Sequence, residues 1–433
     1  MPRKPVPLAL LLCLAGAALA GADDKLSHLL PELYGPRGLI VDSEALLPNG
    51  QTHSAHFNSA FQSQFTQFNT ALATELTALP LPSPASGFTY EFDPALGVFT
   101  RSGRSFGPIL ADRAETIGRG KLGLGFNFQY FSFDRIEGVD LDSVPAVFTH
   151  DNPVAGTGRD DVVTTETSID TKVGQYSFYL NYGLARWLDV AVAVPVVHTE
   201  LSLASTATVR RIGTVDPAVH FFEDGQGGFG DTRTFVDSGS ATGLGDVIVR
   251  LKSRPGHWGG TGLGLGVDVR LPTGDEEDLL GSGAPGVKPF VILSYSSRVV
   301  SPHLNLAYQW NGDSLLAGDP VSGTKGDLPD QFQYAAGADI ALSDGLTLAA
   351  DLLGRYVVDS PRLRPRSFQA LDGHSTFPDI GFTTESFNEL RGAVGFKLNV
   401  KGRLLLDVNV LFALDNAGLR DDVTPLFGLE YGF

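Results

Sequence analysis

From residue 119 to the C-terminus, apolar residues recur at every second position. Leu122, Leu124, Phe126, Phe128 and Tyr130 form one stripe, and Tyr176, Phe178, Leu180 and Tyr182 the next. After a tight turn at 183–187 come Leu188, Val190, Val192, Val194 and Val196. A strand points successive side chains to opposite faces, so each stretch predicts a strand with one apolar face. Continuing the count gives about twelve strands, of which the one at 288–297 has an ambiguous phase. In the last strand Phe427, Leu429, Tyr431 and Phe433 alternate with Gly428, Glu430 and Gly432.

The connections sort by length. Short turns fall at 183–187, 255–260, 297–301, 343–345 and 400–402. Long or polar connections fall at 135–164, 200–242, 272–286, 311–328, 360–383 and 415–422. Short turns at one end and long loops at the other mark an up-and-down barrel in an outer membrane. The stripe opposite the apolar one carries charges of both signs, including Arg250, Asp268, Arg270, Asp339, Asp351, Arg355, Arg391 and Asp407. Lipid outside and a wet lumen inside account for that division, and these eight are the expected lumen-lining residues. The fold class is therefore all-β: a transmembrane up-and-down antiparallel β-barrel of about twelve strands over 119–433.

Residues 23–118 follow another rule. Phe57, Phe61, Phe65, Phe68, Leu72, Leu76 and Leu79 recur three or four apart, which predicts one apolar helix face. Pro80, Pro82 and Pro84 stop that helix. Residues 87–101 read as a short hairpin turning at Asp93 and Pro94, with arms too short to span a bilayer. This segment plugs the lumen or lies in the periplasm, and Phe57, Phe61, Phe65 and Phe68 are its expected plug residues.

Composition narrows the setting. Lys and Arg total 32 against 49 Asp and Glu, a net charge of −17, which argues against nucleic acid as a partner. No long apolar run follows the N-terminus, so helical membrane spans are not expected. Residues 1–22 combine Arg3 and Lys4, an apolar stretch and Ala-x-Ala sites, the pattern of a secretory signal peptide. Export places the barrel in the bacterial outer membrane, among lipid and lipopolysaccharide. The single cysteine, Cys13, lies inside that peptide, which excludes a disulfide or thiolate chemistry in the mature chain.

Motifs of enzymes are scarce. No G-x-S-x-G, H-E-x-x-H or phosphate-binding loop occurs. The glycine-rich runs at 123–125 and 262–266 sit inside strands, where small lumen-facing residues leave room. His198 with Ser202 is the one pair to weigh for a lipid-hydrolysing barrel, and His53 with His56 the one histidine pair on the amphipathic stretch. Neither is assigned as a site: catalytic residues, metal and cofactor are all expected to be absent. The run from Asp275 to Asp278 reads as a solvated loop with calcium or bridged lipopolysaccharide as the alternative.

Residues 243–254, GLGDVIVRLKSR, precede VDVRLPTGDEEDLLGSGAPGVKPF at 267–290. With YGLARWLDVAVAVPVV at 182–197 and SFGPILADRAETIGRGK at 105–121, these stretches resemble the outer-membrane transporter family named after the meta-cleavage pathway of phenol degradation. The resemblance implies a barrel related in style to transporters of long-chain fatty acids and aromatic hydrocarbons. The function expected is passive uptake of small apolar or aromatic molecules, with Phe131, Phe133 and Tyr179 available to stack on aromatic solutes. The alternatives are a barrel enzyme acting on lipid and an adhesive barrel binding a partner through its acidic loops.

Overall fold

The computed structural model describes residues 25–35, 37–44, 55–58, 66–78, 90–93, 98–101, 104–150, 153–156, 158–213, 215–223, 227–400 and 402–433. The expected signal peptide, Phe61, Phe65 and His53 lie outside these residues. Twelve antiparallel strands close into one barrel: β1 (Leu122–Phe133), β2 (Val162–Ala185), β3 (Leu188–Arg210), β4 (Val247–Trp258), β5 (Thr261–Leu271), β6 (Gly286–Tyr295), β7 (Val300–Asn311), β8 (Gln331–Ala341), β9 (Leu346–Gln369), β10 (Thr376–Asn399), β11 (Leu404–Ala413) and β12 (Val423–Gly432). Each pairs with its neighbour in the chain, and β12 closes the ring on β1 from Leu426 opposite Gln129 to Gly432 opposite Gly123.

The apolar stripe faces outward. Phe178, Leu180, Val192, Leu265, Val291, Leu293, Phe396, Val408 and Phe427 lie on the outer surface, where lipid replaces water. Trp187, Trp258, Tyr295 and Phe433 stand exposed at the short-turn rim, as an interfacial aromatic girdle does. The short turns and both barrel termini mark the periplasmic rim, and the long hairpins the outer one.

Four strands exceed what a bilayer needs. β2, β9 and β10 have 24 residues and β3 has 23, where about 9–11 suffice to cross. From Asp189 to Arg210 of β3 the sense of the alternation reverses without a register change. Val190, Val192, Val194 and Val196 face out at membrane depth, and His198, Glu200, Ser202 and Thr206 continue that face into water. Leu201, Leu203, Ala207 and Val209 point inward and join Val163, Ile169 and Val173 of β2 in one buried cluster. The core of the molecule therefore sits above the bilayer, as a cap over the barrel mouth.

This corrects two expected loops. Much of 200–242 is strand: β3 runs to Arg210, and Thr232–Leu244 pairs with it from Thr208 to Val196 before continuing into β4. Likewise 360–383 forms the outer half of the β9–β10 hairpin. Thr- and Ser-rich strands above the membrane lose the apolar-out signal and read as polar connections.

The N-terminal segment completes the cap. Helix α1 (Leu26–Glu32) buries Leu26, Leu29 and Leu30 in the cluster, each worth roughly 1.5–3 kcal/mol. Strands Leu39–Val41 and Ala55–Asn58 extend the sheet beyond Val144–His150, which pairs with β2. Helix α2 spans Thr66–Ala78. The helix expected from Phe57 thus starts later. Phe57 lies on a strand, fully buried against His150 and His220, while Phe68 and Leu72 keep the helical spacing and pack into the cap. The expected hairpin is present as Tyr90–Asp93 paired with Val98–Arg101.

Candidate functional site

Two pieces of the chain before β1 occupy the inside of the barrel. The outer piece is α2. Gln331 of β8 donates to the Thr77 hydroxyl at 2.9 Å, and the α2 residue Thr70 donates to the Leu316 carbonyl at 2.9 Å. The inner piece is a strap over 104–120 near the periplasmic rim. Its backbone N–H groups donate to wall side chains in turn: Phe106 to Thr347 on β9 (2.9 Å), Asp112 to Asn305 on β7 (2.6 Å), Ala114 to Ser294 on β6 (3.0 Å) and Ile117 to Asp189 on β3 (2.8 Å). β9 and β3 are six strands apart in a ring of twelve, so the strap crosses the lumen. Ile109 fills the interior against Ala349 and Leu426.

Wall residues are small where the strap passes. A Cβ on Gly264 would stand 3.2 Å from the Ala114 backbone, so this glycine admits the strap. A Cβ on Gly125 would meet the Tyr179 ring, which lies across it.

Between the two pieces lies a cavity of about 190 Å³. Thr77 and Ala78 bound it on the α2 side, and Leu110, Ala111 and Asp112 on the strap side. Part of its wall is apolar: Ile248, Phe290, Ile292, Leu353 and Leu411. Here β6 departs from simple alternation, since Phe290 and Ile292 are apolar residues on the inner face, opposite the outward Val291 and Leu293. That is why its phase is ambiguous in the sequence.

The rest of the wall is charged. Five cations line the cavity, Arg250, Arg270, Lys288, Arg355 and Arg391, against Asp112, Asp268 and Glu389. Arg250 makes a bidentate pair with Asp268 (2.6 and 2.8 Å), reaches Asp112 of the strap at 2.7 Å and lies 5.0 Å over the Phe290 ring. Lys288 stands 3.4 Å from Asp268. Arg270 donates to Asn311 at 2.7 Å. Arg355 and Arg391 hold Glu75 of α2, Arg391 donating to its Oε2 at 2.7 Å. Both arginines also bind Glu389, which Arg420 contacts at 2.5 Å.

All eight sequence-expected lumen residues lie on the inner face. Arg250, Asp268, Arg270, Arg355 and Arg391 meet at the cavity. Asp339, Asp351 and Asp407 do not line it. Asp339 hydrogen-bonds Ser105 of the strap, Asp351 pairs with His303 at 2.6 Å, and Asp407 lies near the β10–β12 pair Lys397–Glu430. The aromatic expectation is corrected. Phe131 and Phe133 stack on each other in the cap and Tyr179 packs over Gly125, so none lines the cavity; Phe290 does. Glu75, Asp112 and Lys288 were missed. Glu75 had a signal: it is the sole charged residue in the stretch 57–79.

The weaker chemical candidates separate. His198 bonds Thr242 (2.6 Å) and Glu200 (3.0 Å) with its two ring nitrogens, so neither is free to activate Ser202. His56 lies on the strand Ala55–Asn58 rather than a helix. Lys25 reaches into the acidic loop, 3.3 Å from Asp275 and 3.1 Å from Asp278. Burial works against its charge, but hydrogen bonds to Asp278 and Asp275 outweigh this and raise its pKa.

A closed twelve-stranded barrel with a lipid-facing apolar belt and a lumen interrupted by its own N-terminal segment defines the class: a transmembrane β-barrel of the outer-membrane type. The chain belongs to the family described as "Putative MetA-pathway of phenol degradation", whose model matches residues 151–418 of the 433. Solved structures with a similar course include an outer-membrane channel from Pseudomonas putida F1, 13% identical over 75% of this chain and 99% of that one, TM-score 0.45. The toluene transporter TbuX of Ralstonia pickettii is 11% identical over 73% of this chain and 90% of that one, TM-score 0.33. The toluene transporter TodX of P. putida is 10% identical over 72% and 90%, TM-score 0.30. No curated protein matches the chain.

Proposed function

We propose that this protein is an outer-membrane channel for passive uptake of small apolar or aromatic molecules, exported by the signal peptide at 1–22. Residues 23–118 act as its plug. The observation that carries the reading is the cavity bounded by α2 and the strap, inside a membrane barrel. An apolar cavity of about 150 Å³ holds a benzene molecule. At about 190 Å³, this one has room for a single ring with a small substituent. Both boundaries are chain segments that interrupt no wall strand, so they are able to move without opening the barrel. The family's association with phenol degradation agrees with an aromatic solute. Expression in a porin-deficient host tests this. Uptake of radiolabelled phenol should rise several-fold, with the protein in the outer-membrane fraction; uptake equal to the empty host would end the reading.

A further inference from the structure

The arginines that hold the plug also face the cavity. Glu75 is nearly sealed, its side chain 2% exposed, and both its oxygens are taken by Arg355 and Arg391. It is the sole charged residue of α2, whose other hydrogen bonds to the wall and cap use neutral groups or backbone. Around it three guanidinium groups, of Arg355, Arg391 and Arg420, meet three carboxylates, of Glu75, Glu389 and Asp415. If Glu75 leaves, three cations face two anions in a buried site. An uncompensated buried charge is strongly unfavourable. A neutral solute in the cavity cannot relieve it, whereas an anion can.

From this balance we infer that the Arg355–Arg391 pair is a carboxylate site, and that the cavity's preferred solute is a small aromatic carboxylate that takes the place of Glu75. This rests on the channel reading and deepens it. Paired guanidinium forks suit a carboxylate geometrically. The apolar side chains of Phe290, Ile292, Leu353 and Leu411 are available to the ring in the same cavity. Binding would free α2 from its ionic anchor, so the charge that selects the solute is also the charge that loosens the plug.

The test is calorimetric titration of the full-length protein in detergent with benzoate, benzamide and acetate. Benzoate should bind, and benzamide (ring without charge) and acetate (charge without ring) should bind at least about tenfold more weakly. Glu75→Gln removes the internal competitor and should tighten benzoate relative to benzamide about ten- to a hundredfold. Arg391→Gln, which keeps Glu75 seated through Arg355, should weaken benzoate by a similar factor. It also serves if Glu75→Gln fails to assemble. Benzoate affinity equal to benzamide, or unmoved by both variants, would overturn the inference. Inorganic phosphate competing as well as benzoate would overturn the aromatic part, showing a bare anion site. If benzoate fails while deletion of 54–84 still opens the pore and phenol uptake persists, the carboxylate site is wrong and the channel reading stands.

Discussion

Replacing Glu75 by Gln removes one charge from the anchor of α2 with almost no change of shape. In the native protein Arg355 and Arg391 each bind Glu75, and both line the cavity. With α2 withdrawn, these wall arginines lack Glu75 in either protein, so the substitution acts on the seated state alone. Removing one partner of a buried ion pair costs about 3–5 kcal/mol. Arg355 and Arg391 keep slight solvent contact, 9% and 14% of their side chains, and Glu389 still neutralises part of their charge. A loss of about 2–3 kcal/mol is therefore expected. At 1.4 kcal/mol per factor of ten, the ratio of open to closed barrels should rise about 30- to 150-fold. Planar bilayer recordings read that ratio as the open fraction of single channels. Openings of Glu75→Gln should match in size those of a protein lacking 54–84, because the same helix has left the lumen. An unchanged open fraction, while the deletion opens the pore, would refute the claim that this ion pair seats the helix.

Three further outcomes follow from other parts of the fold. Leu265→Arg, on the outer face of β5, should destabilise the folded barrel by about 2–4 kcal/mol in lipid vesicles, measured by guanidinium titration; no loss would mean the facing of the strands is wrong. Gly264→Val should displace the strap, because its Cβ meets the Ala114 backbone, and conductance should increase while heat-modifiable migration on a gel is kept; a silent variant would show that the strap does not restrict the lumen. Lys25→Ala should make the melting temperature respond to calcium, whereas the native protein should be indifferent to chelator, since Lys25 lies among Asp275, Glu277 and Asp278; a native response to chelator would contradict that.

The barrel was legible because a lipid face repeats every second residue, as in Leu188 to Val196, and nothing else in the chain imitates that. Legibility failed where the environment changed along one strand. Above the bilayer the outer face of β3 turns polar and the inner face turns apolar, so a 23-residue strand looked half as long. Phe57 fitted the helical spacing of Phe68 and Leu72 by coincidence, and its strand is set by pairing with Val144–His150, a contact of distant residues that local periodicity does not report. The lumen charges were readable as a class because water and lipid divide the two faces. Which of them meet at the cavity was not, since that depends on α2 and the strap crossing the interior. The ambiguous phase of β6 was itself a trace of the site, for Phe290 and Ile292 break the polar inner stripe where the cavity needs apolar wall.

The proposed channel is closed, on this reading, by its own N-terminal segment. The single-channel conductance of the protein lacking 54–84, compared with the native protein in planar bilayers at equal salt, measures that closure. Conductance should be larger, the host more sensitive to antibiotics, and the barrel should still assemble and migrate as a heat-modifiable band. A correctly assembled deletion protein with native conductance would contradict it, because α2 would then bound the cavity without closing the path through the barrel.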